Sequence, residues 1–248
     1  MNPVALITGA SRGIGRGIAL ELSKIGYDFV INFASNAAAA RQTALDCVAN
    51  AKNNGHQIRA EICQADVASV GDRQRLIDFT RQTFGRLDLL VNNASTFFAV
   101  GIGEIEASHW EDLVGSNLRA PLFIVQEAAA ELAKNEGSIV NIVDIHAERP
   151  LKGYPLYSVA KAGLAALTRS LALELAPRVR VNGVSPGTIA WPDDGQFTAE
   201  ERSRIVATTP LARIGAPEDI AQAVHFLACA PYVTGQIIAV DGGRSVFI

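Results

Sequence analysis

Cysteine is scarce in this chain, with three in 248 residues: Cys47, Cys63 and Cys229. An odd, scattered set outside any motif offers neither a disulfide framework nor a metal-binding pair, so reduced, buried thiols are expected. Histidine is nearly as rare. His56, His109, His146 and His225 keep no ligand spacing with one another or with cysteine, and no metal site is expected. An excess of positive charge is missing too. The formal net charge is −3, which provides no basic surface for nucleic acid or an anionic membrane. No apolar run is long enough to cross a bilayer, and no basic stretch precedes a leader-like core at the N-terminus. The cytoplasm is the expected compartment. Linkers, repeats and low-complexity tracts are also lacking. With 49% hydrophobic and 19% charged residues, the chain can bury a large core as a single domain over residues 1–248.

What is present is an alternation. Short apolar runs at 4–7, 27–33, 58–64, 87–91, 138–143, 178–184 and 236–240 are separated by helical stretches. Such a series predicts a parallel sheet with helices on both faces, and ligands of such sheets bind beyond the carboxyl ends of the strands. The distinctive residues fall at those ends.

The first run leads into T-G-A-S-R-G-I-G (residues 8–15) and then a helical pattern through Ile18, Leu22 and Ile25. Strand, glycine turn and helix form a phosphate-binding layout: Gly9, Gly13 and Gly15 let the backbone approach a pyrophosphate that the helix N-terminus favours. Further on, Y-S-V-A-K places Tyr157 and Lys161 on one helix face. A lysine ammonium there is expected to favour the phenolate and pull the tyrosine pKa down, making Tyr157 a general acid for a hydride transfer. An ordinary amphipathic helix is the competing reading of that short pattern.

Taken together, T-G-A-S-R-G-I-G, A-D-V (65–67), N-N-A-S (92–95), S-N-L (116–118), Y-S-V-A-K, N-G-V-S-P-G-T (182–188) and V-D-G-G (240–243) resemble the short-chain dehydrogenase/reductase family, in order and over the whole chain. The resemblance implies an α/β Rossmann-type three-layer α/β/α sandwich around a doubly wound, seven-stranded parallel sheet. It also implies that Asn117, Tyr157 and Lys161 belong to a catalytic tetrad, with Lys161 on the nicotinamide ribose and Asn117 helping to hold a water. Cofactor contacts are implied for Gly9, Ser11, Arg12, Gly13, Ile14, Gly15, Asn32, Ser35, Asp66, Val67, Asn93, Ala94, Ser95, Tyr157, Lys161, Pro186, Gly187, Thr188 and Ile189. At the end of the second run stands Asn32 in place of an acid that would grip ribose hydroxyls. With no carboxylate to repel a 2′-phosphate, and with Arg12 and Ser35 able to bind one, NADPH is the expected cofactor.

From about Leu87 onward, N-N-A-S-T-F-F, G-S-N-L-R-A-P-L-F, N-I-V-D-I-H-A-E-R-P-L-K-G and P-G-T-I-A-W-P-D-D-G are similar to bacterial pteridine reductases within that family. Asp144 stands where the family's carbonyl reductases carry a serine. The resemblance implies a pterin site made by Ser95, Phe97, Asp144, Tyr157 and Trp191, with Asp144 catalytic beside Tyr157 in handling the proton and Pro192 on the substrate-side loop. A carboxylate repels a developing oxyanion but accepts hydrogen bonds from a pterin's amino group, so Asp144 suits C=N reduction. Residues 1–86 instead resemble 3-oxoacyl carrier-protein reductases, which suggests a hybrid joined near Leu87 and a carbonyl substrate as the alternative. Gly13 departs from the pteridine reductases, which carry an arginine there. The apolar C-terminal half, ending S-V-F-I, resembles family members that assemble as homotetramers.

Overall fold

The computed structural model describes residues 1–191 and 197–247; Pro192 and Ile248 lie outside them. Seven strands, β1 (Val4–Ile7), β2 (Asp28–Phe33), β3 (Ala60–Gln64), β4 (Leu89–Asn92), β5 (Ser138–Ile142), β6 (Arg180–Pro186) and β7 (Ile237–Val240), form one parallel sheet in the order β3-β2-β1-β4-β5-β6-β7. Helices α1 (Gly13–Ser23), α2 (Ala37–Asn53), α3 (Val70–Phe84), α4 (Ala107–Val114), α5 (Ala120–Lys134), α6 (Pro155–Glu174), α7 (Ala199–Ala207) and α8 (Pro217–Cys229) follow in turn.

The sheet is covered on both faces, which is why its strands read as unbroken apolar runs. In β1, Ala5 and Ile7 face a core shared with Ile18, Leu22, Val224 and Leu227. Val4 and Leu6 face the opposite core, with Leu76, Ile124 and Leu132. Helix α1 meets α8 so closely that a Cβ on Gly17 would lie 2.7 Å from Pro217 Cβ. The strand order turns back between β1 and β4, and that switch point opens the crevice where ligands of doubly wound sheets bind.

Several boundaries differ from the apolar runs. The 58–64 run pairs only from Ala60 and the 87–91 run only from Leu89. Before β4, Asp88 accepts the Val4 amide at 2.8 Å and donates its own to Val4 at 2.9 Å. Beyond β7 the chain does not continue as strand. Gly242 and Gly243, at φ 65° and 85°, turn it into a helical stretch, Arg244–Phe247. The Asp241 carboxylate secures that turn by accepting the amides of Gly243 and Ser245. Cys47 and Cys63 are buried, but Cys229, expected in the core, is exposed at the end of α8. Among the described residues no helix is long and apolar enough to cross a membrane.

Candidate active site

The glycine turn is held by side chains from neighbouring strands. Thr8, at the end of β1, accepts the amides of Asn93 and Ala94 on its hydroxyl at 2.9 and 3.0 Å. The Asn93 amide group donates to Thr8 O and Gly9 O at 2.8 and 3.1 Å. A Cβ on Gly15 would lie 2.6 Å from Asn93 Nδ2 and 2.7 Å from Gly9 O, so only glycine fits. Helix α1 starts with no side-chain cap and no acid in its first turn, leaving its leading amides to an anion. No atom lies within 4 Å of a Cβ on Gly13, which adopts φ +55°. Open space, glycines in close contact and uncapped amides fit a dinucleotide pyrophosphate. Ser11 accepts from Thr43 Oγ1 at 3.2 Å, and Ile14 packs on the core beneath the turn.

Asn32 does not face this crevice with its side chain. It is 1% exposed, donates to Cys63 O and Ala65 O at 3.3 and 3.0 Å, and accepts the Gly9 amide at 3.2 Å. It therefore clamps the glycine turn to the ends of β2 and β3. Ala34, Ser35 and Asn36 are the exposed residues after β2, and Arg12 is exposed across the turn. Asp66 is exposed and accepts the Ala68 amide at 2.9 Å, while the Val67 side chain is buried in the core. On the far side, Pro186 ends β6. A Cβ on Gly187 would lie 2.8 Å from Asp241 Cα, and Thr188 O accepts the Gly215 amide at 2.9 Å. Ile189 is buried.

Asp144 follows β5, and Pro155 at the start of α6 suits the first helical turn, which carries Tyr157. The two side chains meet: Tyr157 Oη donates to Asp144 Oδ2 at 2.8 Å, and the other carboxylate oxygen accepts the His146 amide at 2.8 Å. One turn along α6, Lys161 donates to Ile142 O at 2.9 Å, its Nζ 5.7 Å from the Tyr157 ring centroid. The expected fall in the tyrosine pKa is reversed. Burial, then the charge of Asp144 and its hydrogen bond to the phenol, hold Tyr157 well above its ordinary value. Burial lowers Lys161 to about 8, against the opposing pull of Asp144. Y-S-V-A-K puts the lysine beside the tyrosine, and the resemblance gives Asp144 a share in handling the proton; the direct hydrogen bond between the two side chains is what the structure adds.

Asn117 sits in a π-helical turn, Gly115–Arg119, between α4 and α5, a widened turn of a kind frequent at functional sites. It is 1% exposed. Its Nδ2 donates to Thr96 O and Leu113 O, both at 2.9 Å, and its Oδ1 accepts from Ser95 Oγ at 2.7 Å. Ser95 and Asn117, read separately from the sequence, are thus one unit.

Beside Tyr157 stands a wall of aromatic rings. Phe97 meets Tyr157 edge-on at 4.8 Å, stacks on Tyr154 at 4.7 Å and lies parallel to Phe197 at 6.5 Å. Phe197 in turn contacts Trp191 at 6.0 Å, and the Arg202 guanidinium lies 5.3 Å from the Trp191 centroid. Tyr154, Phe197 and Arg202 were not singled out in the sequence. Tyr154 precedes α6 and was readable as three residues before Tyr157; Phe197 and Arg202 follow residues 192–196 in sequence, and nothing local marks them.

Lys161 makes a testable contribution to stability. Because its pKa is lower folded (about 8) than its ordinary 10.5, the unfolded chain binds more protons between those values, and the lysine term raises stability as pH rises through that window. In urea unfolding, the stability of the parent relative to Lys161→Met is predicted to increase from pH 8 towards 10. A pH-independent difference would contradict a desolvated, titrating Lys161.

The sequence model of the family described as Enoyl-(Acyl carrier protein) reductase matches residues 9–245. The chain is 38% identical to a 3-oxoacyl-[acyl-carrier-protein] reductase of Synechocystis sp., over 98% of this chain and 97% of that protein. It is 36% identical to pteridine reductase 1 of Leishmania tarentolae, over 98% and 96%. Both alignments take in residues on either side of Leu87. The fold matches that of an acetoin dehydrogenase from Salmonella typhimurium with a TM-score of 0.89, 31% identity and coverage of 100% and 98%. With the sheet order, the glycine turn and the Tyr157–Lys161 pair in place, this chain belongs to the short-chain dehydrogenase/reductase family and is an oxidoreductase of that family.

Proposed function

We propose that this oxidoreductase uses NADPH to reduce a C=N bond of a pterin or dihydrofolate ring. The observation that carries the reading is the 2.8 Å hydrogen bond from Tyr157 to Asp144. A carboxylate so placed keeps the phenolic proton in place and repels negative charge developing nearby. A ketone offers Asp144 no donor and becomes an oxyanion beside it. A pterin offers its amino and ring N–H groups, which take up the Asp144 lone pairs. Once they do, Asp144 holds the Tyr157 proton less strongly, and Lys161 favours the phenolate left behind. The substrate thereby loosens the proton that its ring nitrogen needs. When bound, a reduced nicotinamide supplies the hydride. Lys161 and Tyr157 would meet its ribose, and Phe97 would hold the pterin flat by stacking.

Preference for NADPH over NADH is supported by the residues after β2. No carboxylate occurs among residues 32–36, and Arg12 and Ser35 are exposed to bind a 2′-phosphate. A reducing role fits the cytoplasm, where NADPH is kept reduced. The second reading, reduction of a 3-oxoacyl thioester, is favoured by the similarity to a 3-oxoacyl-[acyl-carrier-protein] reductase and opposed by Asp144.

A homotetramer is part of the same reading. Leu211, Phe226, Tyr232 and Val246 are exposed around the last helix and strand, and Trp110, Val159 and Leu173 on α4 and α6. Two separate apolar faces suit two kinds of contact between copies. Light scattering should give close to four times the 26.3 kDa chain mass, and a monomer at micromolar concentration would contradict it.

The direct test is Asp144→Ser, assayed with dihydrobiopterin and an acetoacetyl thioester using NADPH and NADH. Pterin turnover with NADPH should fall by about a hundredfold or more, in the range lost with a proton-transfer group, while thioester reduction is maintained or rises. Undiminished pterin turnover in the variant would rule out the role given to Asp144.

A further inference from the structure

The aromatic wall ends in a cation. From Tyr157 the rings run outward through Phe97, Phe197 and Trp191 to the Arg202 guanidinium. Arg202 is half-buried in the first turn of α7, and its Nε donates to Phe197 O at 3.1 Å. That bond and the Trp191 ring fix the guanidinium plane, and Nη1 and Nη2 make no hydrogen bond or ion pair among the described residues. The acid beside it in sequence is committed elsewhere: Glu201 closes the α7 capping box by accepting the Thr198 amide at 2.8 Å. The α7 dipole adds positive potential at this N-terminus, and the Glu200 and Glu201 carboxylates of the same turn offset it. A planar cation anchored at one nitrogen, with its paired donors unspent, is arranged for a carboxylate.

Resting on the pterin reading above, we propose that Arg202 binds a carboxylate carried on the substrate's tail. The preferred substrate is then a reduced pterin joined through an aryl group to an anionic end, as in dihydrofolate. The heterocycle would lie against Phe97 beside Asp144 and Tyr157, the aryl linker along Phe197 and Trp191, and the carboxylate on Nη1 and Nη2 of Arg202. A pterin with a short neutral side chain, such as dihydrobiopterin, fills only the inner part of this wall.

The experiment compares KM and kcat for dihydrofolate and dihydrobiopterin in the parent, Arg202→Met and Arg202→Lys, each at low and high salt. Methionine keeps an apolar stem over Trp191 and removes the charge. The expected result is a rise of about tenfold in the dihydrofolate KM of Arg202→Met with kcat retained, while the dihydrobiopterin KM changes by less than about twofold. Arg202→Lys should recover most of the loss, and salt should raise the dihydrofolate KM of the parent and of Arg202→Lys but not that of Arg202→Met. Equal rises for both substrates would mean that Arg202 only props the wall, and no change for either would mean that it binds nothing; each overturns the assignment while leaving pterin reduction intact. Absence of any pterin turnover by the parent would overturn the functional reading, and this assignment with it.

Discussion

The hydrogen bond between Tyr157 and Asp144 is the constraint around which the site is arranged. It joins the first turn of α6 to the end of β5 and fixes the protonation of a buried phenol. A tyrosine beside a lysine alone would be an acid ready for any carbonyl. Placed against a carboxylate, the same tyrosine stays protonated until something else engages that carboxylate. Under the function proposed above, selectivity for a substrate rich in N–H donors would follow from this electrostatic arrangement.

The scaffold serves the same arrangement. Lys161 is anchored on Ile142 O, immediately before the segment that carries Asp144, so the cation and the carboxylate are set by one strand end. Across the switch point, Thr8, Asn93 and Asn32 tie three strand ends to the glycine turn. These polar groups are satisfied by backbone partners, which makes the turn a rigid cradle. Behind them, Asn141 joins Asn92 to Thr168 on α6 at 2.8 and 2.9 Å, linking the nucleotide side of the sheet to the helix that bears Tyr157.

Much of this was legible in the sequence. Seven apolar runs separated by helical stretches made the sheet legible because strands buried on both faces carry no alternation to misread. The glycine turn was legible because a close backbone approach tolerates no side chain at Gly15. Less legible were relations that need the third dimension. Asn32 marks the strand end that lacks an acid, but its part in holding the glycine turn from beneath carries no local signal. Asp144 was legible as a partner of Tyr157 in handling the proton, but the effect on the phenol was not: burial and the carboxylate raise it where the lysine alone would lower it. Phe197 and Arg202 carry no local signal, since their meaning arises only when α7 lies beside Trp191. The turn made by the two left-handed glycines after β7, Gly242 and Gly243, carries no apolar signal in the sequence.

The central claim is that a carboxylate-restrained tyrosine makes this family member a reductase of nitrogen heterocycles. The most direct measurement is the kcat/KM of the unmodified protein for dihydrobiopterin and for an acetoacetyl thioester, with NADPH consumption followed under identical conditions. The pterin is expected to be preferred by at least about tenfold, or roughly 1.4 kcal/mol of transition-state stabilisation. Preference for the thioester by a similar factor would contradict it and assign the chain to carbonyl reduction.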